Sequence, residues 1–247
     1  MLQIVLLVLL GLVAGAVNAI AGGGSLVVFP ILLAVGLPPL QANVTNSVAQ
    51  WPGYAGSTIS ARRDLRRQPR RIGSTAVVAA LGSAVGCGLL LILPQSVFDA
   101  VVPVLVLLAS LTLGLQPWIK RWTSHGGGTR ERPAVLLPVV FAAAVYGGYF
   151  GGALGVVLIA VLSLLADESL QRLNALKVLL SLVTATVTVV LFAIFAPVDW
   201  LAVLLLAPST LIGGYLGILV AQKMPDAVLR WSVVLLGVAV AIYLFLR

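Results

Sequence analysis

The sequence predicts an all-α, multi-pass membrane protein, and three observations support this. Of its 247 residues, 61% are apolar and only 9% are charged, whereas a soluble domain carries about 25% charged residues. The apolar residues form runs long enough to cross ~30 Å of hydrocarbon, which takes about 20 residues per helix. The charged residues lie mostly in short breaks between these runs. Because the backbone must satisfy itself in lipid, the runs are predicted to be helices.

The apolar runs follow one another with little sequence left for an extramembrane domain. They are predicted at 2–35 (broken at 21–25), 42–61, 72–93, 98–119, 134–165 (broken at 147–152), 170–195, 200–220 and 228–246. Counting each broken run as one or two helices gives about eight to ten membrane helices. This pattern excludes a soluble enzyme, a DNA-binding protein and a disulfide scaffold. The first run lacks a basic leader and is therefore predicted to be mature structure rather than a signal peptide.

The two halves of the chain, 1–130 and 131–247, resemble one another and are predicted to be repeats. Each opens with a Gly-broken run of about 30 residues, which is too long for one straight span. The next helix of each half begins with an Asn that has a second polar residue three places later. The last helix of each half begins near an Asp-Ala-Val triplet. Each half is thus predicted to be a broken helical hairpin followed by three transmembrane helices.

The positions of the basic residues predict how the chain crosses the membrane. If each broken run returns to the side from which it entered, thirteen of the 15 Lys and Arg share one side. They lie in loops 62–71, 120–132, 166–172 and 222–230. The positive-inside rule makes that side cytoplasmic. The halves then have opposite orientations, which is the inverted repeat of many secondary transporters.

The two glycine-rich breaks are predicted to form an anion site near the membrane midplane. Irregular backbone is tolerated in a membrane where it lines a cavity, and half-helix N-termini direct N–H groups and positive dipole ends into it. The predicted residues are Gly22, Gly23, Gly24 and Ser25 at the first break, with Gly151 and Gly152 at the second. Ser25 is further predicted to cap the half-helix that follows Gly24. The alternative is that the glycines only permit close helix crossing.

Lys177 is a second predicted part of the site, because an ionisable residue inside a membrane helix is a functional hypothesis by default. The spacing i, i+3, i+7 places two polar sets on single helix faces. These sets are Asn43, Asn46 and Gln50 on one helix, and Asn174, Lys177 and Ser181 on another. The alternative for Lys177 is that its ammonium reaches the membrane interface along its apolar stem.

The sequence contains no residues that would support proton-coupled transport, ATP-driven transport or catalysis. All seven acidic residues lie in predicted loops or at helix ends, so no carboxylate relay crosses the membrane. No nucleotide-binding motif or catalytic constellation is present, and no cofactor or metal site is predicted. An exported anion moves down the membrane potential, gaining about 2.3 kcal/mol per charge per 100 mV, so anion export needs no proton relay.

Ordered motifs in both halves resemble the TauE/SafE sulfite exporter family, the TSUP transporters. They are Asn-Ala-Ile-Ala-Gly-Gly-Gly-Ser at 18–25, Phe-Pro at 29–30, Ala-Asn-Val-Thr-Asn at 42–46, Gly-Gly-Tyr-Phe-Gly-Gly-Ala-Leu-Gly at 147–155 and Leu-Asn-Ala-Leu-Lys at 173–177. The resemblance implies an inner-membrane transporter of sulfite or small organosulfonates. It carries binding roles onto the Gly22–Ser25 turn, Asn43, Asn46, Asn174 and Lys177.

The sequence therefore predicts a secondary transporter or exporter of small sulfur-containing oxyanions, bound between two inverted repeats. The expected partners are the lipid bilayer and a small anion (sulfite, thiosulfate or an organosulfonate), with no nucleic acid; a homodimer is left open. Two alternatives remain at this stage. One is a channel with the same anion preference, and the other is a membrane scaffold or assembly factor that transports nothing.

Overall fold

The computed structural model describes residues 2–21, 23–66, 69–124, 133–165, 170–221 and 226–246, and within them every helix is α-helical and no strand occurs. The prediction of an all-α membrane protein is confirmed. The helices are α1 (Leu2–Ala21), α2 (Ser25–Ala34), α3 (Pro39–Ala49), α4 (Trp51–Ser60), α5 (Arg62–Leu65), α6 (Pro69–Ile92), α7 (Gln95–Ser124), α8 (Pro133–Tyr149), α9 (Leu154–Leu165), α10 (Leu170–Phe195), α11 (Trp200–Ala221) and α12 (Asp226–Leu246).

The helices divide into full-length and half-length segments. Three described stretches, Arg71–Ile92, Gln95–Leu115 and Arg172–Phe195, are long and apolar enough to cross a membrane. By length alone, α1, α11 and α12 also match the ~30 Å hydrocarbon layer, with 20, 22 and 21 residues. In contrast, α2 and α9 have only 10 and 12 residues. Each of the two predicted broken runs therefore contains one longer helix and one half-helix.

The segment predicted as one span over 42–61 is kinked at its centre. Gln50 is both the C-cap of α3 and the N-cap of α4. The kink has a chemical cause in Pro52, which has no backbone N–H and whose ring clashes with the preceding turn. Gln50 itself still donates its N–H to the carbonyl of Asn46 at 3.1 Å. The Gln50 side chain lies in the interior, where it is 2% exposed.

The core joins the two breaks to the surrounding helices. Phe29 of α2 and Phe150 of the second break pack edge to face with ring centroids 5.5 Å apart. Phe98 of α7 packs against Tyr149 with centroids 5.8 Å apart. All three phenylalanines are almost fully buried. Many large apolar side chains on the outer faces are exposed instead, as expected for helices surrounded by lipid.

The helices pair across the two halves of the chain in a reciprocal pattern. Helix α1 packs along α11, and α6 packs along α8. Helix α7 packs against α12, and α3 with α4 packs against α10. Suppose that α1 corresponds to α8, α3 with α4 to α10, α6 to α11, and α7 to α12. Exchanging the halves then turns the α1–α11 pairing into the α8–α6 pairing, and leaves the α7–α12 and α3/α4–α10 pairings unchanged. Two structurally related halves would produce this pattern.

Small residues allow the closest of these pairings. Gly82 and Gly86 lie one turn apart on the face of α6 that meets α8. A Cβ built on Gly86 would overlap the backbone carbonyl of Val145 in α8. On α11, a Cβ at Gly213 would overlap the backbone of Leu12 in α1. Without a hydrophobic driving force between helices in lipid, such close backbone approach contributes much of the packing energy.

We predict that Gly86→Ala and Gly88→Ala, two changes on the same helix, affect the stability of the protein differently. Gly86→Ala should destabilise the protein by about 1–3 kcal/mol, because the new methyl group forces α6 and α8 apart. Gly88→Ala meets no heavy atom within 4 Å, and should be neutral or stabilise by up to about 1 kcal/mol through helix propensity. Thermal unfolding of both variants in one detergent measures the difference. Equal losses would contradict this account of α6–α8 packing.

Candidate substrate-binding site

Both chain breaks meet at one small buried cavity beside the middle of α3/α4 and α10. Its volume is about 20 Å³, roughly the space of a single water molecule. The cavity is lined by Ser25, Ser47, Gln50, Tyr54, Gly147, Gly151, Leu154, Ser181, Thr184, Ala185 and Thr188. The two breaks, far apart in sequence, therefore converge on a single site at which seven of the eleven lining residues have polar side chains.

The first break brings the N-terminus of half-helix α2 to the cavity. The helix begins at Ser25, with Gly24 as its N-cap and without a side-chain cap. The prediction that Ser25 caps this helix is wrong, because Ser25 is already its first helical residue. Its side chain instead lines the cavity together with that of Tyr54. Gly22 lies outside the described residues.

The glycines behind Ser25 serve packing. A Cβ on Gly24 would lie 2.6 Å from the Ala14 carbonyl oxygen and equally close to the Asn18 Cβ of α1. Gly23 is also buried, and a Cβ built on it would lie 3.1 Å from the Leu113 side chain of α7. Both positions therefore let α1 and α7 approach the break closely. The close-crossing alternative thus accounts for these two glycines, while the helix start at Ser25 faces the cavity.

The second break turns the chain sharply between α8 and α9. Gly151 has φ +75° and Ala153 has φ +53°, both in the left-handed region that glycine adopts freely and alanine does not. Gly151 lines the cavity, while Gly152 is buried where a Cβ would overlap the Phe150 ring. The Tyr146 hydroxyl donates a hydrogen bond to the Gly152 carbonyl. This turn delivers the first residue of α9, Leu154, to the cavity wall.

Asn43 holds the second break in place from the other half of the chain. The last carbonyls of a helix have no partner within that helix. The Asn43 Nδ2 group donates to one of these, the carbonyl of Tyr149, at 2.9 Å. Asn43 is completely buried, and its Oδ1 atom has no hydrogen-bond partner among the described residues. The side chain thus fixes the end of α8 against α3.

Two hydroxyl groups of α10 are the clearest unfilled donors at the site. Ser181 and Thr184 are 1% and 2% exposed, and neither side-chain oxygen has a hydrogen-bond partner in the described part of the chain. Thr186 and Thr188 on the same helix instead donate to carbonyls of their own helix, each at 2.8 Å. An unmade buried hydrogen bond costs about 1–3 kcal/mol. Ser181 and Thr184 are therefore available to a ligand inside the cavity.

Gln50 offers an amide to the same space. Its Nε2 donates to the Oδ1 of Asn46 at 3.4 Å, while its Oε1 is buried without a partner. If the Gln50 and Asn46 amides both rotate by half a turn, Asn46 donates to Oε1 and the two N–H donors of Gln50 become free for a ligand. Asn46 is buried and does not line the cavity, so it orients Gln50 from behind.

The predicted charged and polar residues at the start of α10 lie farther out. Asn174 is exposed, Lys177 is half-buried, and neither lines the cavity. Lys177 lies one helical turn before Ser181 on the same face, and side chains at that spacing are neighbours. Among the ten predicted site residues, Ser25 and Gly151 line the cavity directly.

Sequence reasoning missed residues that continue a stripe it had recognised. The face defined by Asn174, Lys177 and Ser181 runs on through Thr184 and Thr188, at helical spacing throughout. The deeper members of this stripe line the cavity, and the first two do not. A count of polar residues along the whole helix face would have found them. Gly147 begins the predicted second break, whereas Tyr54 carries no comparable signal in the sequence.

Half-helices that meet at a buried polar cavity in an apolar helical bundle are typical of membrane transporters. Comparison with known proteins agrees with this class. Residues 7–244 match the family described as sulfite exporter TauE/SafE, and the chain belongs to this family. The resemblance noted in the sequence is thereby confirmed. The protein is a membrane transporter, not an enzyme.

Similar proteins carry names of the same kind. A probable membrane transporter protein, ORF9, of Sinorhizobium sp is 28% identical over 94% of this chain and 88% of its own length. A probable membrane transporter protein of Haemophilus influenzae is 24% identical over 92% of this chain and 88% of its own. The probable membrane transporter protein YfcA of Escherichia coli K12 is 28% identical over 83% of this chain and 76% of its own length. No solved structure matches the chain significantly.

We predict that Asn43→Ala destabilises the protein by about 1–3 kcal/mol, because the Tyr149 carbonyl is left buried without its donor. Asn174→Ala is the matched control, since its side chain is exposed and should change stability by less than about 0.5 kcal/mol. Thermal unfolding followed by tryptophan fluorescence compares the two. If Asn43→Ala melts with the control, the amide does not hold the second break.

Proposed function

We propose that this transporter exports a small sulfur-containing oxyanion, of the sulfite or organosulfonate type, across the cytoplasmic membrane. The observation that carries the proposal is the convergence of both glycine breaks on one buried cavity with unfilled hydroxyl donors. The sulfur chemistry of the cargo is supported by the description of the family as sulfite exporters. The printed names of the similar proteins specify transport and no substrate.

The donors around the cavity suit the oxygens of a sulfite or sulfonate group. In the proposed complex, the hydroxyls of Ser181 and Thr184 donate to two of these oxygens, and Gln50 donates after its amide rotates. Hydrogen bonds to a charged acceptor contribute about 1.5–3 kcal/mol each. The N-termini of α2 and α9, at Ser25 and Leu154, add the positive ends of their dipoles. No formal positive charge lines the cavity in the described residues.

Lys177 supplies charge from one turn away in this proposal. Its Cβ is about 5–6 Å from that of Ser181 at i, i+4 spacing, and its four-carbon stem allows the ammonium to extend toward either the cavity or the interface. An ammonium near a low-dielectric site attracts an anion more strongly than it does in water. We therefore assign Lys177 the role of charge neutralisation beside the site, and Asn43 and Asn46 the role of positioning.

The anion can enter only if the cavity widens. A space of about 20 Å³ holds roughly one water molecule, whereas a sulfite ion has four heavy atoms. Helices α10 and α3/α4 face one another across the cavity and come from different halves of the chain. We propose that their relative movement opens the site alternately to each side of the membrane. This is the alternating access of secondary transporters.

The proposed architecture is two inverted repeats, over residues 1–130 and 131–247, in the inner membrane. Its support is the reciprocal pairing of helices between the halves, with one half-helix in each. The basic loops 62–71 and 120–132 are proposed to be cytoplasmic because of their charge.

We predict that Ser181→Ala and Thr184→Val each weaken binding of the transported anion about tenfold or more, because each removes a donor to a charged acceptor. The measurement is thermal stabilisation of the purified protein by sulfite, thiosulfate, sulfoacetate, isethionate, taurine, sulfate and chloride. A bound ligand stabilises by about 2.7 kcal/mol at a hundredfold excess over Kd. Thr188→Val is the matched control, since Thr188 lines the same cavity but donates to its own helix.

Lys177→Met tests the charge in the same assay. The transport proposal expects a folded variant with lost or weakened anion stabilisation, because a neighbouring positive charge has been removed. A scaffold would tolerate Lys177→Met and show no stabilisation by any anion of the panel, and that outcome would reject the proposal. Saturable counterflow in proteoliposomes is expected for alternating access, whereas a channel would give none.

A further inference from the structure

A second and larger cleft lies on the outer surface between α4, α5 and α10. Its volume is about 500 Å³, against about 20 Å³ for the central cavity. The cleft is lined by Ala55, Thr58, Ile59, Arg62, Leu65, Arg66 and Leu182. We call it the α4–α10 groove. None of its lining residues belongs to the central cavity.

The walls of the α4–α10 groove are apolar. Ala55, Ile59 and Leu182 contribute only hydrocarbon, and Ile59 is 65% exposed. The Thr58 hydroxyl donates to the Tyr54 carbonyl at 2.8 Å, so its hydrogen is already used within the helix. Ala55 and Arg62 are seven residues apart, which gives the apolar wall a length of about 10 Å along the helix.

One end of the groove is strongly basic. Arg62 and Arg66 line it and are both exposed. They are four residues apart around the short helix α5, which places them on one side. Because both side chains are exposed, their guanidinium groups are accessible to an anionic group at the surface. Arg63, between them in sequence, is exposed but does not line the groove.

The other end is bounded by a contact between the two halves of the chain. The Trp51 indole donates to the Thr186 hydroxyl at 2.9 Å, and both side chains are exposed. Trp51 lies one turn before Ala55, and Thr186 lies one turn after Leu182. The groove is therefore a strip of hydrocarbon with a polar crossing at one end and two cations at the other.

We infer that the α4–α10 groove binds an anionic phospholipid, with an acyl chain along the apolar wall and the headgroup phosphate on Arg62 and Arg66. A small free oxyanion could bind the two arginines but would gain nothing from contact with the hydrocarbon wall. An amphiphile binds the arginines through its headgroup and the wall through its acyl chain. Arg clusters directly after a membrane helix are a recurrent site for anionic lipid headgroups, and guanidinium groups suit phosphate.

Such a lipid would contact helices on both sides of the proposed transport movement. It would touch α4 and α5 from the first half and α10 from the second. Because α4 and α10 also line the central cavity, the occupant would stabilise their closed contact. The binding inference itself does not depend on which anion the protein transports.

The test is native mass spectrometry of the purified full-length protein titrated with phosphatidylglycerol and, separately, with phosphatidylcholine of the same acyl chains. We expect preferential binding of phosphatidylglycerol. Arg62→Gln and Arg66→Gln should each weaken it about fivefold, the equivalent of about 1 kcal/mol per arginine at a membrane surface. Arg63→Gln removes the same charge outside the groove and should weaken binding less than twofold. Each variant keeps the other five arginines of loop 62–71.

A second arm tests the apolar wall and the source of the phosphate. Ala55→Leu fills the groove and should reduce phosphatidylglycerol binding, while Ala84→Leu, at an exposed position on α6, should not. Inorganic phosphate and glycerol phosphate at millimolar concentration should fail to displace the lipid. Equal effects of all three arginine variants, no preference over phosphatidylcholine, or displacement by free phosphate would each overturn the inference. Unchanged melting temperatures of the variants would show that they fold.

Discussion

The requirement that backbone polar groups be satisfied inside a membrane governs this structure. Each uncompensated N–H or carbonyl in hydrocarbon costs several kcal/mol, and the chain interrupts its helices twice. The second interruption is stable because side chains replace the missing helical partners. Asn43 donates to the last carbonyl of α8, and Tyr146 donates to the carbonyl of Gly152. Of the four buried side-chain atoms without a hydrogen-bond partner in the described residues, three belong to Gln50, Ser181 and Thr184, which line one cavity, and the fourth is Asn43 Oδ1.

Much of the fold could be predicted because the lipid environment leaves few choices. The bounds of α10 agree with the predicted run 170–195, since Asp167 and Glu168 precede it and Pro197 and Asp199 follow it. The kink after α3 follows from Pro52. The start of α2 was misplaced by one residue, because Gly24 and Ser25 are both acceptable at a helix N-cap and only the backbone geometry decides between them. That one residue changes Ser25 from a cap into part of the cavity wall.

The site itself was only partly predictable, for a geometric reason. A helical stripe indicates which face of α10 is polar, but not which turn of that face meets the breaks. Asn174 and Ser181 share the face, yet the first is exposed and the second is 1% exposed. The depth of each turn is set by the packing of α10 against α3, α4 and α6. Sequence periodicity carries no information about that depth.

The reciprocal pairing of helices has a consequence for how the chain is made. Helix α1 is synthesised first, yet the helix along which it packs most extensively is α11, near the end of the chain. The face of α1 around Gly11 and Leu12 must therefore remain in contact with lipid or an insertion factor until α11 has entered the membrane. Helix α6 waits in the same way for α8. Insertion of individual helices and assembly of the bundle are thus separate events, because the first half of the chain enters the membrane before the partners of α1 and α6 have been synthesised.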